Sequence, residues 1–484
     1  MIEKFLCNKE KTLLDALDKI NKNGKGIVFI INDDKKLCGI LTDGDVRRLL
    51  LSGYNLQQQI APLLKQDFKF VRVGEKYDKA IKKISDEIHT LPIVNDEDEV
   101  IDYIEYRSDV HLPIVSPHLK GNELKYLIDA FLSSWISSRG RYIEEFEEKF
   151  PDYCGCKYGI AVSNGTAALH LALRVLGIGE GDEVIVPDLT FAATINAVLH
   201  SGATPVVVDI ENDSWCIDPE KIEKAITPRT KAIISVHLYG QPCDMEAIMR
   251  IAGRRNLFVI EDCAEAHGAT FDGKKVGSFG DIGCFSFFGN KIITTGEGGM
   301  CITNNEELKK RMAILRDHGM TPERKYWHEV VGYNFRMTNL QASIGMAQLE
   351  RIEELLRTRQ AIEDLYREKL KDVDWLSPQP SNLARRKKVT WYTCYLVDER
   401  KIARDDLIKE LKRLGIETRP FFYPLSEMGI YKKFVRASCP VAHKISKSGI
   451  NFPTNLNLSM EDYQRVVSTI ASVGENYKGQ QNYA

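Results

Sequence analysis

The sequence predicts an α/β fold with a largely parallel sheet, preceded by a smaller module of two similar halves and followed by a small C-terminal domain. Three observations carry that prediction. Apolar runs rich in Val and Ile at 183–186, 204–208, 232–236 and 257–260 alternate with helical patterns, as strands covered on both faces do. The segment 1–110 contains an internal repeat. Beyond residue 357 the rhythm changes to helices with a few strands, among them 391–397.

In the front module, Leu13, Leu14, Leu17 and Ile20 recur at helical spacing. A strand at 26–31, the polar turn Asn32-Asp33-Asp34-Lys35-Lys36 and a strand at 37–41 follow. The same order returns as a helix at 77–84, a strand at 91–94, the turn Asn95-Asp96-Glu97-Asp98-Glu99 and a strand at 100–104. Asn32 and Asn95 put the two copies 63 residues apart. The stretch Gly39-Ile40-Leu41-Thr42-Asp43-Gly44-Asp45 resembles one half of a cystathionine-β-synthase (CBS) domain pair. That resemblance implies a regulatory adenosine nucleotide whose ribose meets Thr42 and Asp45. In the second copy Asp102, Glu105 and Ser108 stand at the equivalent places. The alternative role for such a pair is oligomer contact. Pro113 and Pro117 mark a linker at 111–118, leaving 119–356 as the large domain and 357–484 as the small one.

The chain has 484 residues, 43% hydrophobic and 28% charged, the profile of a soluble protein of two to four domains. A formal net charge of -2 excludes a general nucleic-acid footprint. Eleven scattered cysteines, no C-x-x-C pair and no metal-ligand spacing argue for reduced thiols and no structural metal. The first ten residues hold no apolar signal core, and no 18-residue apolar run occurs, so a cytoplasmic location is expected.

Three segments carry chemistry. Ser163-Asn164-Gly165-Thr166-Ala167-Ala168-Leu169 is a small-residue turn opening an apolar helix. Its free amides could cradle a phosphate, or it is simply an N-cap. Glu261-Asp262 follows the apolar run at 257–260, where an α/β sheet binds ligands at its C-terminal edge. An acid there could keep a pyridine nitrogen protonated, or merely start a helix. Lys291 sits between the aromatic run Phe285-Ser286-Phe287-Phe288 and the loop Thr294-Thr295-Gly296-Glu297-Gly298-Gly299. A desolvated lysine loses its proton more easily and can attack an aldehyde; a solvated loop lysine cannot.

In this order the three segments resemble the DegT-type sugar aminotransferases, from about residue 112 to the C-terminus. Trp135-Ile136-Ser137-Ser138-Arg139-Gly140, Pro187-Asp188-Leu189-Thr190-Phe191-Ala192-Ala193-Thr194, His237-Leu238-Tyr239-Gly240 and Gly332-Tyr333-Asn334-Phe335-Arg336-Met337-Thr338-Asn339 extend the likeness. The resemblance implies the fold-type I scaffold: a mostly parallel seven-stranded sheet and a small α+β domain. It also implies pyridoxal 5'-phosphate as cofactor. By position, Lys291 would bind it as a Schiff base and move protons, while Asp262 would pair with the ring nitrogen. Phe191 would stack on the ring and Glu265 would lie near it, where many relatives carry Gln. Gly165, Thr166, Ala167 and Ser286 would hold the phosphate. Asn334 matches a residue reaching the phosphate from a neighbouring subunit, which implies a homodimer with shared sites.

Tyr326-Trp327-His328 and Thr418-Arg419-Pro420-Phe421-Phe422-Tyr423-Pro424 point further. Within the family they imply L-glutamate as amino donor and a nucleotide-linked 4-keto-6-deoxy sugar as acceptor, first among them GDP-4-keto-6-deoxymannose. His328 and Arg419 are candidate substrate contacts. UDP- and dTDP-linked keto sugars are the alternatives. A sugar 3-dehydratase would replace the lysine by histidine, so Lys291 argues against it. A nucleotide-sensing regulator on an inactive scaffold would not need the full cofactor set.

Overall fold

The structure is a computed structural model describing residues 2–65, 67–75, 83, 90–105, 112–321 and 323–481, with backbone alone for 105 and 474–481. Ser108 and the expected helix at 77–84, apart from Lys83, lie outside the described residues. The chain divides into two compact units, Met1–Asp109 and Val110–Ala484.

In the first unit β1 (Leu6–Asn8) runs parallel to β2 (Ile27–Ile31), which pairs antiparallel with β3 (Leu37–Thr42). β4 (Val71–Arg72), β5 (Thr90–Val94) and β6 (Val100–Glu105) repeat that arrangement. The 63-residue offset read from Asn32 and Asn95 recurs in the backbone. The ladder is irregular between Ile30 and Ile31 in one copy and between Ile93 and Val94 in the other. Lys35 and Asp98 both adopt left-handed backbone, with φ of 60° and 64°. The two turns also meet, Leu37 N–H donating to the Asp98 carbonyl at 2.9 Å. A turn that recurs with the same backbone strain and pairs with its copy is the mark of a duplicated element.

The second unit is built on β7 (Tyr158–Val162), β8 (Glu183–Pro187), β9 (Thr204–Val208), β10 (Thr230–Val236), β11 (Phe258–Asp262), a short hairpin of β12 (Thr270–Phe271) and β13 (Lys274–Lys275), β14 (Ile282–Ser286) and β15 (Gly299–Thr303). Seven of these form one sheet in the order β7-β15-β14-β11-β10-β8-β9. All pairings are parallel except those of β15, which is antiparallel to both neighbours. Every residue of β8, β14 and β15 is buried, because helices cover both faces. The strand expected at 257–260 runs from Phe258 through Asp262, so the acidic pair lies inside the strand rather than after it.

The C-terminal part adds β16 (Leu376–Pro378), β17 (Arg386–Lys387), β18 (Thr393–Val397), β19 (Arg419–Pro420) and β20 (Gly449–Phe452). Four of them make an antiparallel sheet, β16-β18-β20-β19, over a core that includes Tyr366, Leu407, Leu411, Phe452, Val466 and Ile470. β17 instead pairs with β12, tying this part back to the hairpin between β11 and β14 in a separate three-stranded sheet, β13-β12-β17. The strand expected at 391–397 begins at Thr393, and Trp391 precedes it. Among the described residues no helix is long and apolar enough to cross a membrane.

Glu183, at the start of β8, is a second tie. Its side chain is 1% exposed and accepts from the Thr227 hydroxyl at 2.7 Å, from Arg229, and from Arg436 at 2.5 Å and 3.1 Å. The bonds from Arg436, against the pull of burial, hold the carboxylate at about 2. Because the folded pKa lies below the unfolded one, this group stabilises the fold above about pH 4.5 and ceases to do so as pH falls toward 2. Glu183→Gln should therefore cost about 1–3 kcal/mol in urea unfolding at neutral pH. The gap to the wild type should narrow between pH 4.5 and 2, and a pH-independent gap would contradict the assignment.

Candidate active site

Asp262, Ser286 and Lys291 stand on strand ends and a loop at one edge of the large sheet. β11 and β14 are neighbours in register, with Asp262 opposite Cys284, so Asp262 and Ser286 both close the C-terminal edge. Strand alternation sends Glu261 and Asp262 to opposite faces. Glu261 accepts from the amides of Gly277, Phe279 and Gly280, each at 2.7 Å, and faces His237 Nε2 at 3.2 Å. Since His237 Nδ1 accepts from Cys243 N–H at 3.1 Å, Nε2 carries the hydrogen. His237, Glu261 and Cys263 offer ligand atoms within 4.8 Å of one another, but the Glu261 oxygens are already committed to these donors. The knot fixes the loop at 277–280 and, through it, the backbone on which Asp262 sits.

Asp262 accepts from the Thr194 hydroxyl at 2.9 Å and from Ala264 N–H at 3.2 Å. Burial raises its pKa, while Thr194, Ala264 and Lys291 oppose the rise. Glu265 is 5% exposed and accepts from Tyr239 N–H at 2.7 Å. Burial raises its pKa too, with Lys291 pulling the other way. Lys291 lies in the loop between β14 and β15, which is closed by Phe287 N–H to Gly298 C=O at 2.8 Å and Thr295 N–H to Phe287 C=O at 2.9 Å. As a residue it is half-buried, yet its nitrogen sits deep enough for desolvation to lower its pKa against Glu265 and Asp262. A primary amine of this kind loses its proton more readily than a solvated lysine, and the neutral amine is the nucleophilic form.

The helix Gly165–Val175 begins beside Ser286. A Cβ on Gly165 would stand 2.8 Å from the Ser286 Cβ, so only glycine lets the helix start this close to β14. Asn164 caps the helix by accepting from Ala167 N–H at 2.8 Å, and the first intrahelical bond runs from Ala168 to Asn164. The amides of Gly165 and Thr166 precede that bond and face the positive end of the dipole. Both readings of the turn thus coexist: it is an N-cap, and it leaves the amides of Gly165 and Thr166 outside the helical bonds beside Ser286. The residues fit pyridoxal 5'-phosphate chemically, with an amine for the aldehyde, an acid for the ring nitrogen and a helix start for the phosphate.

Phe191 is 60% exposed and 5.6 Å from Phe422, so it is no core aromatic and its ring is available for stacking. Arg419 reaches the Tyr392 hydroxyl at 3.5 Å and Glu417 at 3.2 Å, beside Trp391. His328 is exposed with Nδ1 2.9 Å from the His318 carbonyl, and Asn334 is exposed and accepts from Arg336 at 3.1 Å. Among the described residues no hydrogen bond joins either to the cluster around Lys291. In the front unit Thr42 and Asp45 form a capping box, and Asp45 also takes Arg48 at 2.9 Å and Lys65 at 3.1 Å. Those bonds, led by Thr42, outweigh burial and hold Asp45 at about 2.

Sequence reasoning gave no role to Thr194, His237, Tyr239 or Trp391. The first three lie in stretches quoted for the likeness, so position flagged them without chemistry. Trp391 stands outside those stretches, and only packing brings its ring centroid 4.0 Å from Lys291 Nζ.

Comparison with known proteins agrees with this arrangement. The profile of the DegT/DnrJ/EryC1/StrS aminotransferase family matches residues 117–471, and that of the CBS domain matches residues 1–52. The GDP-perosamine synthase of Caulobacter vibrioides is 49% identical over 363 residues, covering 75% of this chain and 98% of that protein. The GDP-perosamine synthase of Escherichia coli O157:H7 is 45% identical over 76% of this chain and 99% of its own length. Among solved structures, the sugar aminotransferase Spr1654 of Streptococcus pneumoniae in its PMP form superposes with a TM-score of 0.72 at 30% identity, covering 77% of this chain and 99% of its own.

Glu261 provides a test of the scaffold beneath the site. Glu261→Ala leaves three loop amides, buried or half-buried, and the buried His237 without their acceptor, so unfolding free energy should fall by about 3–5 kcal/mol. A loss below about 1 kcal/mol in chemical denaturation would show that the loop is held by other means.

Proposed function

The chain belongs to the DegT/DnrJ/EryC1/StrS aminotransferase family, and from that premise we propose that it moves the amino group of L-glutamate to carbon four of GDP-4-keto-6-deoxymannose, giving GDP-perosamine and 2-oxoglutarate. The observation that carries the choice of sugar is the 49% identity to a GDP-perosamine synthase across 98% of that protein's length.

Pyridoxal 5'-phosphate is the cofactor; when bound it supplies an aldehyde carbon for the amine and a ring that draws electrons away from the reacting carbon. The chain's own groups supply the rest. Gly165 and Thr166 would bind the phosphate through their amides and Thr166 and Ser286 through their hydroxyls, while Ala167, its amide held by Asn164, would line the cradle. Asp262, kept from water and braced by Thr194, would hold a proton on the ring nitrogen. Phe191 would cover one ring face and keep water from it. Lys291 would anchor the cofactor and, once its nitrogen is free, take a proton from one carbon and return it to another. Its lowered proton affinity supports that role, since an amine fixed as ammonium could not accept the proton. Glu265 would lie beside the ring and share charge with Lys291. Arg419 would meet the substrate, an assignment supported by its place beside Tyr392, whose ring packs on Trp391. His328, which is exposed, would meet the substrate, and Asn334, also exposed, would reach the neighbouring subunit's phosphate across a homodimer interface.

The test is a panel of GDP-, UDP- and dTDP-linked 4-keto-6-deoxy sugars offered with L-glutamate and followed by mass spectrometry. Amination of the GDP-mannose derivative at least tenfold faster than the others is expected, and preference for a UDP or dTDP sugar would overturn the assignment. In the same assay Lys291→Ala should be inactive. Mixing it with Asn334→Ala subunits should restore part of the rate; no recovery in a mixed dimer would remove the shared site.

A further inference from the structure

Trp391 reaches the pocket from the C-terminal part of the chain. Its indole N–H donates to the carbonyl of Asn290, the residue before Lys291, at 2.8 Å. Its ring centroid lies 4.0 Å from Lys291 Nζ. The indole is 3% exposed and packs against Tyr392 at 4.3 Å and Tyr239 at 6.0 Å, the latter nearly parallel at 19°. Tyr239 is fixed at both ends, its N–H on Glu265 and its hydroxyl accepting Phe422 N–H at 2.9 Å. Arg359 donates to the Trp391 carbonyl at 2.9 Å. The ring is therefore a fixed plate rather than a mobile side chain.

We propose that Trp391 is a positioning residue for Lys291, whose indole face receives the ε-nitrogen whenever it is not bonded to the cofactor. The proposal rests on the reading of Lys291 as the cofactor-binding amine. The physical case is that a free lysine has four rotatable bonds and would otherwise sample many positions. A cation desolvated over an indole is held by the ring quadrupole, which favours the ammonium and opposes burial. The other groups facing the amine are Asp262 and Glu265, which act in the same sense as the indole, and His267, a buried imidazole whose pKa is lowered by burial to about 3 and which is therefore neutral. Removing the π face must then lower the proton affinity of Lys291.

The test mixes apoprotein with pyridoxal 5'-phosphate across a pH series and follows the absorbance that develops as the cofactor attaches. Attachment needs the neutral amine, so the midpoint of the rate profile reads the titration of Lys291. Trp391→Leu should move that midpoint down by about one pH unit, with Trp391→Phe falling between. Because Trp391→Leu also empties volume in the core, wild-type protein grown with mono-, di- and trifluorotryptophan gives a series of nearly constant shape. Five tryptophans are replaced at once, but Trp391 alone lies over Lys291 among the described residues. The midpoint should fall stepwise with fluorine number. An unchanged midpoint in the folded Phe variant and across the fluorinated series would overturn the proposal. The control separates it from its premise: if Lys291→Ala develops the same absorbance, the anchoring role of Lys291 fails, whatever Trp391 does.

Discussion

An amine kept from water in the company of two buried acids is the constraint around which the second unit is arranged. Desolvation pushes Lys291 toward its neutral form and pushes Asp262 and Glu265 toward theirs, while their mutual attraction pulls all three back. None of the three would be tolerated alone at this depth. Together they form a set in which Lys291 gives up its proton more readily than a solvated lysine, as a proton-moving amine must.

The scaffold makes this set possible by dividing its duties between strand faces. One face of the end of β11 holds Glu261 in a knot with His237 and three loop amides, which contributes rigidity and no chemistry. The other face presents Asp262 to the pocket. On the neighbouring strand, the tight approach of Gly165 to Ser286 sets the helix start beside the same edge. The C-terminal part then closes the aromatic side, from Phe422 through Tyr239 to Trp391. Its attachment to the rest of the second unit runs through ties such as β17 on β12 and Arg436 on Glu183.

Much of this was legible in the sequence because it is local. Continuous Val/Ile runs announced the buried strands, and the 63-residue offset reappears in matching ladder irregularities and left-handed turns. Gly165 and Asp262 belong to short stretches that each also allowed a plain helix start, and it was their order along the chain, matching a known family, that singled them out. Three things were hidden. The opposite facing of Glu261 and Asp262 required knowing that the strand runs through both. The left-handed backbone of Tyr239, φ 50°, carries no residue signature of its own. Trp391 meets Lys291 across a hundred residues of chain, and no period or motif reports a contact made by tertiary packing alone. In the front unit the sequence singled out Thr42 and Asp45 as ligand contacts, whereas the fold uses both first as a helix cap.

The central claim is the covalent role of a single nitrogen. Reduction of the cofactor-loaded protein with borohydride, followed by proteolysis and mass spectrometry, tests it most directly. The account predicts a pyridoxyl adduct on the peptide bearing Lys291 and on no other lysine; an adduct elsewhere, with Lys291 unmodified, would contradict it.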